Sequence, residues 1–183
     1  MNEPGSLGQA ILVGKLKNSY HNHKRYFMQI RILSVGDIKT PYLREGEADY
    51  FERLSHYCRF ETVFIPGEKI TRHTSDREIL EKEEKKLLDR ISEGDVVVTL
   101  DRRGRPWSSE ELAKRIAGWQ NLGIRRVVFV IGGPLGLGRR MLERADAVLS
   151  LSDMTFAHEM VKLILLEQLY RAFTIIKGEK YHK

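Results

Sequence analysis

The sequence predicts an α/β fold, with a mainly parallel sheet of five or six strands and helices on both faces. Three observations lead there. From residue 28 onward, short β-branched apolar runs alternate with amphipathic helical stretches. Two of those runs, "DVVVTL" and "RRVVFVI", are apolar without alternation, as strands covered on both faces are. The chain has 183 residues and is 42% hydrophobic, enough for one domain with a real core.

Each element has a local cause. "IRILSV" is apolar and β-branched, a first strand. Pro41 suits a helix start, and Tyr50, Phe51 and Leu54 fall on one face of a helix over residues 42–57. "ETVFIP" is a second strand. "TSDREILEKEEKKLLDRI" is a helix with Ser75 or Asp76 as N-cap; Ile79, Leu87, Leu88 and Ile91 point inward and the Glu and Lys residues mostly form a solvated face. Gly94 ends it. The third strand, "DVVVTL", runs into a predicted loop, "DRRGRPWSS". Ser108 or Ser109 caps the next helix, and Ser108 with Glu111 fits a capping box. Gly123 closes that helix before the fourth strand, "RRVVFVI". A glycine loop, the short helix "RRMLERA", a fifth strand "DAVLSLS" and a long apolar helix "HEMVKLILLEQLYRAFTII" complete the domain. The tail is "KGEKYHK".

Residues 1–27 differ from the rest, with Pro4, Gly5, Gly8 and Gly14 and weak periodicity. Met28 opens a clean strand and reads as a true initiator, the preceding stretch being a tag remnant or a misassigned start. A secretory signal and a bilayer-length apolar run are not evident, so the expected location is cytoplasmic. One cysteine, Cys58, allows no intramolecular disulfide and no metal cluster, and is expected to be a half-buried helix residue. The net charge of +6, with Arg102, Arg103 and Arg105 in one loop and Arg139, Arg140 and Arg144 after the glycines, points to a polyanionic partner.

The stretch "VIGGPLGLG" places four glycines directly after a buried strand. Ordering glycine costs backbone entropy, so something has to approach the backbone closely. In open α/β sheets ligands collect at the C-terminal ends of strands, here Leu100, Gly132 and Leu151. A phosphate cradle fits poorly. The loop has neither a GxGxxG register nor a GK[ST] ending, and Pro134 removes a backbone donor.

"VTL" at Val98, "VIGGPLGL" at Val130, "LSLSDMTFAHEM" at Leu149, "LLEQLYRAF" at Leu165 and the terminal "YHK" together resemble the RlmH family. These are SPOUT-superfamily enzymes that use S-adenosylmethionine to methylate N3 of a pseudouridine in 23S ribosomal RNA. The resemblance spans residues 28–183. It implies a C-terminal trefoil knot that holds the cofactor, a homodimer in which one subunit's tail reaches the other's cofactor, and action on the assembled ribosome. No metal and no membrane are implied. Carried over by position, the cofactor site involves Leu100, Gly132, Leu151, Ser152, Asp153, Met154, Thr155 and Phe156. The glycines then make room for the cofactor, and Gly132→Val is expected to weaken binding more than folding. Asp153 is in reach of a sulfonium, or caps the following helix.

Methyl transfer to N3 needs a group that takes its proton or stabilises the anion. The resemblance offers His158, Tyr181, with its ring stacked on the target base, and His182. Arg171 is offered as a phosphate or anion partner. Leu135, Ala157 and Lys162 depart from the family pattern, which has a polar residue, a proline and an arginine near these places. Two rival functions share parts of the reading: a related enzyme acting on a tRNA ribose hydroxyl, which would not need the terminal "YHK", and a non-catalytic RNA-binding or ribosome-assembly factor.

Overall fold

The computed structural model describes residues 28–69, 71 and 73–181. Ten elements alternate along the chain: β1 (Gln29–Val35), α1 (Pro41–Ser55), β2 (Arg59–Ile65), α2 (Asp76–Leu88), β3 (Val96–Pro106), α3 (Ser109–Asn121), β4 (Arg126–Ile131), α4 (Arg139–Arg144), β5 (Ala147–Ser150) and α5 (His158–Lys177). The five strands form one sheet in the order β2-β1-β4-β3-β5, every neighbouring pair parallel. The predicted fold class holds, with five strands.

Helices cover both faces, as the unbroken apolar strands require. On one face Ile30, Ile32, Val98, Val127 and Phe129 pack against α1, α3 and α5. On the other, Leu33, Val97, Val128 and Val130 meet Leu87 of α2 and Met141 of α4. The two capping boxes form as expected. Ser75 accepts from the Glu78 backbone N–H and Ser108 from that of Glu111, and each glutamate reaches back to its cap residue.

Three expectations change. Cys58 lies just beyond α1, fully buried, with its thiol 3.8 Å from the Leu54 carbonyl; burial pushes its pKa up to about 12. Glu83 and Glu84, expected on a solvated face of α2, are buried. The predicted loop after Leu100 is largely strand. β3 pairs with β5 as far as Leu100↔Leu149, bulges, and returns to the same partner at Arg105↔Leu149 and Pro106↔Ser150. The chain crosses the backbone of β5 at Gly104, where a Cβ would stand 2.6 Å from the Val148 carbonyl oxygen. Only glycine allows two backbones to pass so closely. Residues 1–27, where the extension was placed, lie outside the described residues.

Candidate functional site

β1, β3, β4 and β5 run parallel, so their C-terminal ends share one edge of the sheet, with Leu100 beside Ile131. Three connections leave that edge and enclose a cleft of about 610 Å³. The β3 bulge contributes Leu100, Asp101, Arg102 and Arg103. The loop after β4 contributes Gly132, Gly133, Pro134 and Leu135. The segment after β5 contributes Leu151, Ser152, Met154, Thr155, Phe156 and Ala157, and His158 opens α5. Seven of the eight cofactor residues predicted from sequence therefore meet in one place. Asp153 does not: it is exposed and outside the cleft lining, and the N-cap of α5 is Ala157, with no side-chain cap. The carboxylate that does face the cleft is Asp101. The Arg103 guanidinium, at 2.9 Å, holds its pKa below the usual carboxylate range. The cleft thus carries an ionised carboxylate, paired with Arg103, at a position the sequence did not mark.

The glycine loop has a different explanation from the one its sequence suggests. Gly133 and Gly136 form an antiparallel bridge, so the loop folds onto itself. A Cβ on Gly132 would fall inside van der Waals contact with the Gly136 carbonyl oxygen, and Gly136 itself has φ +83°. The space that a side chain at 132 would fill belongs to the loop, not to a ligand.

Below the loop lie the two buried carboxylates of α2. Glu84 Oε2 accepts from the Met141 backbone N–H at 3.0 Å, in the first turn of α4, where the cap residue Gly138 has no side chain to do so. Glu83 Oε1 accepts from the Glu68 N–H at 2.9 Å, while its Oε2, against Gly133, is buried with no hydrogen-bond partner. A Glu84→Ala variant is expected to lose about 1 kcal/mol from the missing cap, read as a melting-temperature drop of roughly 2–4 °C. Adding Gly138→Ser should restore it, because the serine supplies the cap in the space the glutamate vacates. A single variant that melts like wild type would show that the cap contributes nothing.

His158 lies between the main cleft and a smaller cavity of about 270 Å³ lined also by Gly36, Lys39, Glu83 and Glu159. Its Nε2 is 3.5 Å from where a Cβ on Gly36 would stand, and Gly36 has φ +80°. One turn on, Lys162 is buried, 2.5 Å from Glu47 and 3.5 Å from Asp37.

The remaining predicted catalytic residues are not in the cleft. Arg171 stands thirteen positions beyond His158 on α5, about 20 Å along the axis, paired with Glu167 at 2.5 Å. Tyr181 packs beside it. His182 lies outside the described residues. Asp101, Glu83, Glu84 and Lys162 went unassigned or misplaced in the sequence reading. Only the "RR" after Asp101 signalled that its charge would be held.

No helix among the described residues is long and apolar enough to cross a membrane, and no group of three or more metal-binding side chains occurs among them. A family model described as "Predicted SPOUT methyltransferase" matches residues 28–182. A protein of Acetivibrio thermocellus named "Ribosomal RNA large subunit methyltransferase H" is 45% identical over 159 residues, covering 85% of this chain and 100% of that one. A protein of Symbiobacterium thermophilum with the same name is 47% identical over 161 residues, at 85% and 100% coverage. Among solved structures, that of a probable methylase family protein from Haemophilus influenzae superposes with a TM-score of 0.50 at 13% identity, over 86% of this chain and 71% of that one, a likeness of fold. With nearly all of its described length matched, the chain belongs to the SPOUT methyltransferase family.

Proposed function

We propose that the protein transfers the methyl group of S-adenosylmethionine to N3 of a pseudouridine in 23S ribosomal RNA, in the assembled ribosome, as a cytoplasmic homodimer. The observation that carries this reading is the cleft itself, where the ends of β3, β4 and β5 bring Leu100, Gly132 and Leu151 together. Relatives over 40% identical carry the ribosomal RNA methyltransferase name. The crossing of β5 by β3 at Gly104 supports a knotted C-terminal half.

The cleft suits the cofactor by its chemistry. Leu100, Leu151 and Phe156 offer apolar walls, and the strand-end loops offer backbone groups whose carbonyls suit a cation. When bound, S-adenosylmethionine supplies an electrophilic methyl group on a sulfonium. The N3–CH3 bond forms as the S–CH3 bond breaks, and the N3 proton must leave to a base. His158, which lines the cleft, is the base we assign to it. Arg102, at the cleft edge, is suited to a phosphate contact that weakens with salt. Exposed Met154 and Phe156, 72% and 36% accessible, together with the half-exposed apolar residues Met160 and Ile164 on α5, support a second copy packed over this edge.

Titrating the protein with S-adenosylmethionine by calorimetry should show saturable binding. Mass mapping of ribosomal RNA from a deletion strain should show one methyl group missing from a pseudouridine. A strain with unaltered ribosomal RNA would overturn the reading. A chain beginning at Met28 should keep its dimer and its activity, since β1 starts at Gln29 and the family match at Met28; loss of either would make residues 1–27 a working part. Removing residues 181–183 should abolish transfer while leaving cofactor affinity and dimer intact, and full activity without them would refute a role for the tail.

A further inference from the structure

α5 does not fray. Gly178, with φ +68°, closes it: the Gly178 N–H bonds to the Ile175 carbonyl and the Glu179 N–H to the Thr174 carbonyl, a Schellman motif. The Tyr57 hydroxyl donates to the Glu179 carboxylate and holds the turn against α1. The chain is thereby sent back along its own helix, and the Tyr181 ring lands on α5.

There the half-buried ring meets four side chains. Tyr170 meets it edge-on, with centroids 4.8 Å apart and planes at 75°. The Arg171 guanidinium lies 4.8 Å from its centroid. Its hydroxyl donates to Glu167 Oε1 at 3.2 Å and lies 3.5 Å from the Tyr50 hydroxyl. Each partner is fixed in turn. Glu167 pairs with Arg171, Tyr50 packs against Tyr170 at 6.1 Å, and the Arg53 guanidinium is 5.6 Å from the Tyr170 ring. Burial and these hydrogen bonds push the phenol pKa well up, so the hydroxyl stays protonated at neutral pH. A ring held on an edge, one face and its hydroxyl is half-buried, and a nucleobase stacking where Arg171 sits would have to displace the guanidinium.

We infer that Tyr181 is a positioning residue, an anchor seated on its own subunit by Tyr50, Glu167, Tyr170 and Arg171, and that it serves methyl transfer through this seat rather than by touching substrate. This rests on the proposed methyl transfer, and it reassigns two residues. Tyr181 is not the stacking platform for the base, and Arg171 holds the tail rather than an RNA phosphate.

The test uses the full-length protein, ribosomes from a deletion strain, and 3-fluorotyrosine labelling read by fluorine NMR. In the free wild-type protein the Tyr181 signal should be broad and shifted, and in Tyr170→Leu it should be sharp and near its random-coil position. A sharp wild-type signal would refute the anchor whether or not the protein methylates ribosomes. If the wild-type enzyme transfers no methyl group while the signal is broad, the proposed function fails and the seat stands. Single-turnover transfer should fall at least tenfold in Tyr181→Ala and in Tyr170→Leu, and no further in the double variant, because both remove one interaction. Tyr181→Phe should stay within about threefold, since the ring contacts remain. The milder pair Tyr50→Phe and Glu167→Gln covers the case in which Tyr170→Leu unfolds, and should together cost about threefold. Cofactor affinity should hold within twofold throughout. Multiplicative effects of Tyr181→Ala and Tyr170→Leu, or full activity in Tyr170→Leu, would show that the ring acts on substrate directly.

Discussion

A Gly132→Ala variant should lose cofactor affinity at least tenfold and melt at a lower temperature. The single added methyl group would overlap the Gly136 carbonyl oxygen and stand 3.0 Å from Leu137 Cγ. Carbonyl oxygens of a tight loop cannot rotate away as side-chain ends do, so the loop must open. Overpacking of this kind costs about 1–3 kcal/mol, or roughly 2–12 °C in melting temperature for a chain of this size. The loop is a wall of the cleft, so the loss extends to binding. Gly136→Ala is the contrast. Its Cβ would meet nothing within 4 Å, but φ +83° is a left-handed conformation that costs a residue with a side chain about 1–2 kcal/mol. It should therefore lower stability with a smaller effect on affinity. Unchanged melting and affinity in Gly132→Ala would show that the loop has slack these contacts deny.

What the sequence made legible was whatever depends on neighbours in the chain. Ser75 with Glu78 and Ser108 with Glu111 are three residues apart, and both capping boxes formed. Unbroken apolar runs marked the strands, and strand ends marked the cleft. What depended on distant partners was not legible. Residues 101–106 have the arginines, glycine and proline of a loop, but β5 lies beside them and completes a strand. The charges around Glu83 and Glu84 suggest water, yet the loop over residues 132–138 packs on them, and the helix that follows it donates the Met141 N–H to Glu84. Asp153 and Asp101 show the same limit. Each directly follows an apolar run that reads as a strand, and only the fold decides that Asp101 faces the cleft. The family resemblance named residues that line one cleft, whereas the packing within that cleft depends on contacts distant in the chain.

Lys162→Met should be among the most damaging substitutions away from the cleft. The side chain is 5% exposed, and its ammonium joins Glu47 of α1 to Asp37 after β1. Methionine keeps the stem but leaves Glu47, 16% exposed, and Asp37, 38% exposed, without their cation. Removing one partner from a fully buried pair costs about 3–5 kcal/mol. Water reaching Asp37 lowers that to about 2–4 kcal/mol, a melting-temperature drop of roughly 4–16 °C. Activity should fall with it, because Asp37 follows Gly36, and Gly36 supports the His158 ring. Lys162→Arg should lie much closer to wild type, since a guanidinium can serve the same two carboxylates. The deciding comparison is Lys162→Met with Glu47→Gln. If the cost lies in the stranded carboxylate, neutralising Glu47 should return most of the lost stability, since a buried pair replaced on both sides is nearly neutral. A double variant no more stable than Lys162→Met would locate the loss in packing around the lysine stem instead.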